Sequence, residues 1–470
     1  MSSNYRTGEF FIDAISIVTQ SGDIVDIRNV TAAFQLYESI YDMFTTGEVS
    51  LVDTQNILRT FEFTGQEFIR ISVRQKEGLE DKSERDFSID KTFRIYKTLN
   101  VQKINEVTQT YTLLFADPRL FQAEKTKVSQ SFYGSYSAMA LGVMSDIIKF
   151  TPEETEAWVD TLPANFSFLA PDWTVKKSVE YFVENANTST EAPFRNSCFF
   201  YQTLNGGFRF HDIGEMYQRV HPVVFSTSPK NTELDSMNAN INSAKGLNTQ
   251  ILKYEQPSTF NTLEGIRKGL YASTIRIWNP IEQRLDEKIY DMSQTFAREG
   301  HMHNPNVHLD APEIVMTTDD AIGNEDQSYS QTDAEPALNQ AYDSLVINVD
   351  TMKHAFGNAK KYEDAESFLG EVHEDNSILE RRALLELLKQ NVYTVQVPFR
   401  TDLTVGTVVR LNIHEPETSK PEGTGDKKND NKYLITSMKI TGIPKDNKGT
   451  ITMDCVREGI SKKLQPSISE

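Results

Sequence analysis

The chain has 470 residues, of which 38% are hydrophobic and 24% charged, with a formal net charge of −19. That length allows two or three domains with real cores, and no apolar run approaches the roughly 18 residues of a membrane-spanning helix. The acidic balance excludes a general nucleic-acid binder, which needs clustered Lys and Arg to displace counterions. 

Residues 1–120 are predicted to be β-rich. The opening, MSSNYRTGEFF, has no charged stretch followed by an apolar one, so synthesis in the cytosol is expected. In Phe68–Arg74 the apolar Ile69, Ile71 and Val73 alternate with Arg70, Ser72 and Arg74, the period of a half-buried strand. Tyr111, Leu113 and Phe115 fall on one side of another strand. Ser21-Gly22-Asp23 and Thr45-Thr46-Gly47 supply turns, and short strands with regular turns suggest a sandwich or barrel.

Residues 121–250 read as mixed α and β. Leu141, Met144 and Ile148 mark one face of a helix over 135–150, and Thr151-Pro152-Glu153-Glu154 is a capping box that predicts another short helix. Behind a Thr174 cap, Val175, Val179, Phe182 and Val183 make one apolar helix face. A hairpin follows: Cys198–Thr203 is extended, Asn205-Gly206-Gly207 is a turn, and Phe208 and Phe210 alternate with Arg209 and His211. From Pro222 to Gln250 the chain is polar and aperiodic, as expected of a connecting excursion.

Residues 251–460 are predicted as a second β-rich region, followed by a tail over 461–470. Gly269–Trp278 reads as a strand stopped by Asn279-Pro280, because proline removes a ladder donor. Residues 299–352 contain no Lys or Arg, and from Asp310 to Asp375 there are 16 acidic residues against 3 lysines, a net of −13 that leaves −6 for the remainder. This predicts a long polar insertion over about 299–375, with the part from Asp310 to Asp350 dispensable for the fold. Ser377-Ile378-Leu379-Glu380 is a capping box, with Arg381, Leu384, Leu385 and Leu388 on one side of the helix behind it. Three alternating strands follow, on Tyr393/Val395/Val397, Val409/Leu411/Ile413 and Ile451/Met453/Cys455, with Glu415–Lys432 as a solvated loop. Cys198 and Cys455 both lie in apolar strand-like runs, which predicts buried free thiols rather than a bridge.

Pro171-Asp172-Trp173-Thr174 opening a helix, then the Cys198–Thr203 strand, the Gly-rich turn and Gly207-Phe208-Arg209-Phe210, resemble in order the central module of baseplate hub proteins of contractile, T-even-like phage tails. Gly47–Asp53 followed by Phe63-Thr64-Gly65 and Glu67–Ile71 resembles that family's first barrel, and Gly269–Trp278 an opening strand of its second. The order helix, Val397-Pro398, Leu403-Thr404-Val405-Gly406, Val409-x-Leu411, Lys432–Thr436 is similar to the closing of the second barrel, there and in the related spike proteins of type VI secretion. The resemblance spans most of residues 10–460, and the acidic insertion departs from it.

What the resemblance implies is a mainly β fold with an α+β middle region: two tube-like antiparallel β-barrels braced by the helix-hairpin unit. It also implies a structural virion protein without cofactor or enzymatic activity. A homotrimer would join a sixfold tail tube to a threefold central spike and contact the baseplate wedge proteins. It would line the DNA channel with neither sequence-specific nucleic-acid recognition nor membrane insertion. Two other classes stay open, a tail-associated peptidoglycan hydrolase and a binding module of a secretion spike.

Chemical motifs are sparse. His301, His303 and His308, with Asp310, could place two or three ligands on a metal, yet no second cluster has zinc-like spacing, so an exposed polar loop is the expectation. His373 and His414 are each followed by Glu without completing a zinc-protease motif. Asp426, Asp430 and Asn431 fail the spacing of a calcium loop. Glu153 with Glu156, and Glu180 with Glu184, have the spacing of solvated helix faces. Arg70, Arg74, Lys91 and Arg94 suggest a wet sheet face or a subunit contact more than a nucleic-acid stripe.

Overall fold

Alternation of apolar and polar residues dominates the described chain, and strands follow from it. The computed structural model describes residues 8–61, 63–75, 88–149, 155–158, 166–186, 197–227, 248–258, 261–279, 283–291, 346–350, 373–413 and 432–457. The first region contains β1 (Phe10–Val18), β2 (Ile24–Asp26), β3 (Thr31–Ser39), β4 (Thr46–Asp53), the one-turn α1 (Ile57–Thr60), β5 (Phe68–Gln75), β6 (Ser88–Lys103) and β7 (Gln109–Ala116). The middle region carries α2 (Pro118–Lys125), β8 (Lys127–Val128), β9 (Ser131–Gly134), α3 (Tyr136–Ile148), β10 (Thr155–Trp158), β11 (Phe166–Leu169), β12 (Trp173–Thr174) and α4 (Val175–Asn185). It continues with β13 (Cys198–Gln202), β14 (Phe208–Asp212), α5 (Ile213–Gln218) and β15 (Val220–Ser226). The last region contains β16 (Lys253–Ser258), α6 (Thr262–Lys268), β17 (Ala272–Asn279), β18 (Arg284–Asp291), β19 (Val346–Asp350), α7 (His373–Leu387), β20 (Asn391–Pro398), β21 (Val408–Asn412), β22 (Lys432–Ile443) and β23 (Lys448–Arg457).

The fold is mainly antiparallel β with an α+β middle, as the sequence predicts. Most strands of the first and last regions, with β15 of the middle region, are hydrogen-bonded into one 13-stranded sheet, in the order β16-β20-β23-β22-β3-β4-β7-β6-β5-β1-β2, with β21 pairing β22 and β15 pairing β21. β17, expected as an opening strand of the second barrel, lies instead in a separate three-stranded sheet between β18 and β19. The joint is β22. Its opening residues pair with β21 (Val408↔Leu434), and its second half pairs with β3, from Ser437↔Ser39 to Gly442↔Phe34. A bulge between Ile435 and Ser437 separates the two registers and turns the strand from one partner to the other. The strand pairings do not of themselves define a closed barrel. An isolated bridge between Glu9 and Lys448 ties the start of β1 to the start of β23, with Phe10 N donating to Asn447 O at 3.2 Å and Gly449 N to Gly8 O at 2.9 Å.

Two cores result. The larger lies on the inner face of the sheet, where Ile15, Ile17, Phe34, Leu36, Ile69, Ile71, Val73, Leu113 and Phe115 from the first region meet Val395, Val397, Ile440, Ile451 and Met453 from the last. The smaller is built by α3 and α4, with Met139, Val143, Met144, Val175, Val179 and Phe182 buried together. Ser135 Oγ caps α3 by accepting from Ala138 N at 3.2 Å, and Thr174 Oγ1 caps α4 by accepting from Lys177 N at 3.3 Å. Cys198 and Cys455 are buried free thiols, and burial pushes both up from the ordinary thiol value.

Several local expectations meet a different outcome. Residues 151–154 lie outside the described residues, and Thr155–Trp158 is a strand rather than a helix, paired parallel with β14. Pro222–Ser226 belongs to β15, which lies parallel to β21. Gly269, at φ 77°, ends α6 in the left-handed conformation, so the strand begins only at Ala272. α7 starts at His373 and Ser377 sits inside it instead of capping it. Gly47 lies within β4, where a Cβ would run into the Phe115 ring and Gln35 O, so this glycine serves close packing rather than a turn. Val346–Asp350, inside the segment expected to be dispensable, is a strand parallel to β17.

Gly442 tests the joint. A Cβ there would strike the Phe34 ring and come within 3.0 Å of Phe10. Gly442→Ala is expected to destabilise the protein by about 1–3 kcal/mol through overpacking, measurable as a lowered urea midpoint at unchanged slope.

Candidate functional site: a buried polar seam along the central hairpin

β13 and β14 pair from Cys198↔Asp212 to Gln202↔Phe208, and all five residues of each strand are buried. Strand alternation therefore sends side chains into two different cores. Cys198, Phe200, Phe208 and Phe210 join the helical core, with Phe200 stacked on Phe208 at 5.4 Å. Phe199 and Tyr201 enter the sheet core. Arg209 and His211, read from sequence only as the alternating positions, are 5% and 0% exposed, and burial at that level demands partners.

Those partners come from three directions. Arg209 Nη1 donates to Thr404 Oγ1 at 3.2 Å. Arg219 Nη2 lies 2.9 Å from His211 Nε2, and because guanidinium only donates, Nε2 accepts and the ring proton sits on Nδ1, 3.3 Å from the Tyr201 hydroxyl. Burial, with the charges of Arg219 and Arg209, lowers His211 to about 3, so the ring is neutral. Gly406, at φ 73°, brings its backbone against the Tyr201 hydroxyl, where no side chain would fit. Gln202 accepts from Thr45 N and Oγ1, each at 3.1 Å, and donates to Asp117 Oδ2 at 2.6 Å.

The turn is fastened as well. Leu204 N donates to Glu38 Oε1, Asn205 Nδ2 donates to Thr401 O, and Lys91 Nζ donates to Gly206 O at 3.1 Å. From α7, Arg381 Nη1 reaches Cys198 O at 2.6 Å and its guanidinium lies over the Phe199 ring at 5.4 Å. Beside the seam, Arg400 grips Asp402 through two bonds of 2.9 and 2.5 Å, with His221 Nε2 at 3.5 Å. Burial alone would raise the Asp402 carboxyl, but His221 and Arg400 outweigh it and hold the carboxyl well below the usual range. This is the chemistry of a fastening, in which the hairpin's donors and acceptors join it to β3, Thr45, β6, Asp117 at the start of α2, Arg219, α7 and the 400–407 loop.

The opposite, outer face of the sheet is different in kind. Thr394, Asp454, Ser437 and Ser39 form one cross-strand row, and Gln396, Thr452, Lys439 and Tyr37 the next. These half-buried side chains bond to one another: Thr394 Oγ1 and Ser437 Oγ donate to Asp454 at 2.7 and 2.6 Å, and Tyr37 OH to Gln35 Oε1 at 2.8 Å. The wall continues through Glu48 and Ser50 to Thr112, whose Oγ1 is 3.2 Å from Ser50 Oγ. A recess of about 350 Å³ lies on this face, between β3, β22 and β23.

His301, His303, His308, Asp310, His414, Asp426, Asp430, Asn431 and Glu153 lie outside the described residues, and Glu156 falls in β10. Among the described residues no group of three or more His, Cys, Asp or Glu could hold a metal ion, and no helix is long and apolar enough to cross a membrane. Glu180 and Glu184 are exposed on α4, where burial, more than the neighbouring Glu184, raises the Glu180 carboxyl against the pull of Lys176. The four basic residues singled out in the first region are engaged within the protein: Arg70 with Asp90, Arg74 with Asp13 and the Phe11 ring, Lys91 with Gly206 O and Arg94 with Gly65 O and the Phe121 ring. Glu38, Gln202 and Arg381 acquire their roles only in three dimensions. For Glu38 one signal existed, a carboxylate at an inward position of the alternating Phe34, Leu36, Glu38, Ile40 series.

No protein-family model and no curated protein matches the chain. Among solved structures it is similar to the 43 kDa tail protein of prophage MuSo2 from Shewanella oneidensis, at 10% identity and TM-score 0.49, over 95% of this chain and 98% of that one. It is similar also to a tail protein from Neisseria meningitidis, at 9% identity and TM-score 0.47, over 96% and 98%. A third is a type VI secretion component of E. coli described as structurally similar to bacteriophage T4 tail proteins gp27 and gp5, at 7% identity and TM-score 0.38, over 97% and 80%.

Arg381→Ala removes a charge-assisted bond between α7 and β13. It is expected to lower stability by about 1.5–3 kcal/mol, with Arg381→Lys recovering part of the loss, both read from denaturant midpoints.

Proposed function

We propose that this protein is the structural hub of a contractile tail baseplate, a homotrimer adapting a sixfold tail tube to a threefold central spike, with wedge proteins at its periphery. In this reading it is a virion component, without enzymatic activity, that lines the passage for DNA. The sequence resemblance supplies the outline. The observation that carries the reading is the outer sheet face, a wall several strands wide of mostly hydroxyl and amide side chains, with the carboxylates Asp454 and Glu48 among them, whose polar groups are turned on one another. Lys439 is its lone cation in the rows described above, so phosphates passing along such a wall meet little to hold them. Three copies, each carrying two β-rich regions, would offer six related surfaces to the tube and three true repeats to the spike.

The assembly is tested by mass and by shape. Purified protein is expected at about three times 53.5 kDa, with a threefold ring and central opening in low-resolution images; a monomer at high concentration would remove the symmetry-adapter reading. The passage is tested by Ser50→Lys combined with Thr441→Lys on the polar face. Particles should assemble while genome delivery slows, and delivery at the wild-type rate would detach this face from the DNA path. Clearing of peptidoglycan by the purified protein would favour the hydrolase reading instead.

A further inference from the structure

At Glu38 on β3, the hairpin turn and the 400–407 loop converge. It is 2% exposed, and its Oε1 accepts from Leu204 N. Its Oε2 has no hydrogen-bond partner among the described residues. Arg209 faces it from β14, Lys91 from β6, the Val405 amide from the loop and the Tyr201 hydroxyl from β13, while across β22 its neighbour is the uncharged Met438. Both cations have other duties, since Lys91 holds Gly206 O and Arg209 holds Thr404 Oγ1. Both cations are therefore shared between this carboxyl and the groups they hold.

We propose that Glu38 is a proton-controlled latch, whose protonated form seats the Leu204–Gly206 turn between β3 and the 400–407 loop and whose ionised form loosens it. With a proton the carboxyl is neutral; without one it is a buried charge, which costs more to keep from water even with the Leu204 and Val405 amides beside it. Burial pushes the carboxyl up to about 7, against the pull of the Leu204 amide, Arg209, the Val405 amide and Lys91. Because the folded value lies above the unfolded one, the stabilisation is fully present below the unfolded value and is lost as pH rises through about 7. The inference does not depend on the tail reading, because it concerns how the middle region is held to the sheet.

Hydrogen exchange of the hairpin amides in the intact protein reads the latch directly. After correction for intrinsic exchange, protection of Leu204 and Gly206 is expected to fall about tenfold between pH 6 and pH 8, while Ile15, Ile17 and Ile71 in β1 and β5 stay unchanged. Glu38→Gln should make hairpin protection independent of pH over that range. Parallel behaviour of wild type and Glu38→Gln would overturn the latch. Should that variant not fold, Lys91→Met serves: removing a cation that favours the ionised carboxyl should move the loss of protection to higher pH, and an unmoved transition would equally overturn it.

Discussion

A hairpin buried on both faces sets the terms for everything around it. Most surface hairpins keep one face in water, where polar side chains need no arranged partners. β13 and β14 separate two cores, so their polar residues must all be met by protein groups. That requirement explains why Thr45, Asp117, Thr401, Thr404, Gly406 and Arg381, from widely separated parts of the chain, converge on one short element. Removing one partner leaves the other buried and unsatisfied, so the network acts as a unit rather than as a sum of bonds.

The second constraint is the division of β22 between two neighbours. A strand edge carries one row of backbone donors and acceptors, and β22 assigns the first part of that row to β21 and the rest to β3. The Ile435–Ser437 bulge allows the change without breaking the pairing to β23 on the other side. Both regions thus share a single rigid hairpin, and any displacement of one is passed directly to the other.

Much of this was legible in the sequence where local pattern and tertiary demand agree. The strand through Ile69, Ile71 and Val73, the face of Val175, Val179, Phe182 and Val183, the Asn205-Gly206-Gly207 turn and the buried cysteines all appear as the residues predict. Two of the misreadings fall where a distant partner decides the outcome. Thr155–Trp158 is extended because β14 offers it an edge, and Val346–Asp350 because β17 does. The fastening was less legible still, since Glu38, Gln202 and Arg381 are ordinary polar residues until the fold brings a backbone group to each. Nothing in the alternation of Ser437–Ile443 distinguishes β3 from any other partner, so the union of both regions in one sheet could not be read from pattern alone.

That union has a consequence for how the protein is made. β3 and the part of β22 it pairs with lie roughly 400 residues apart, and a ribosome adding roughly 5–20 residues per second takes about 20–80 s to span that distance. Throughout the interval the nascent first region holds β3 with an open edge and an apolar face awaiting its C-terminal cover. An unpaired edge of that kind is a template for association with neighbouring chains on the same message. Synthesis therefore exposes this protein longest at the joint that later makes it rigid, and holdase chaperones would find their binding site there.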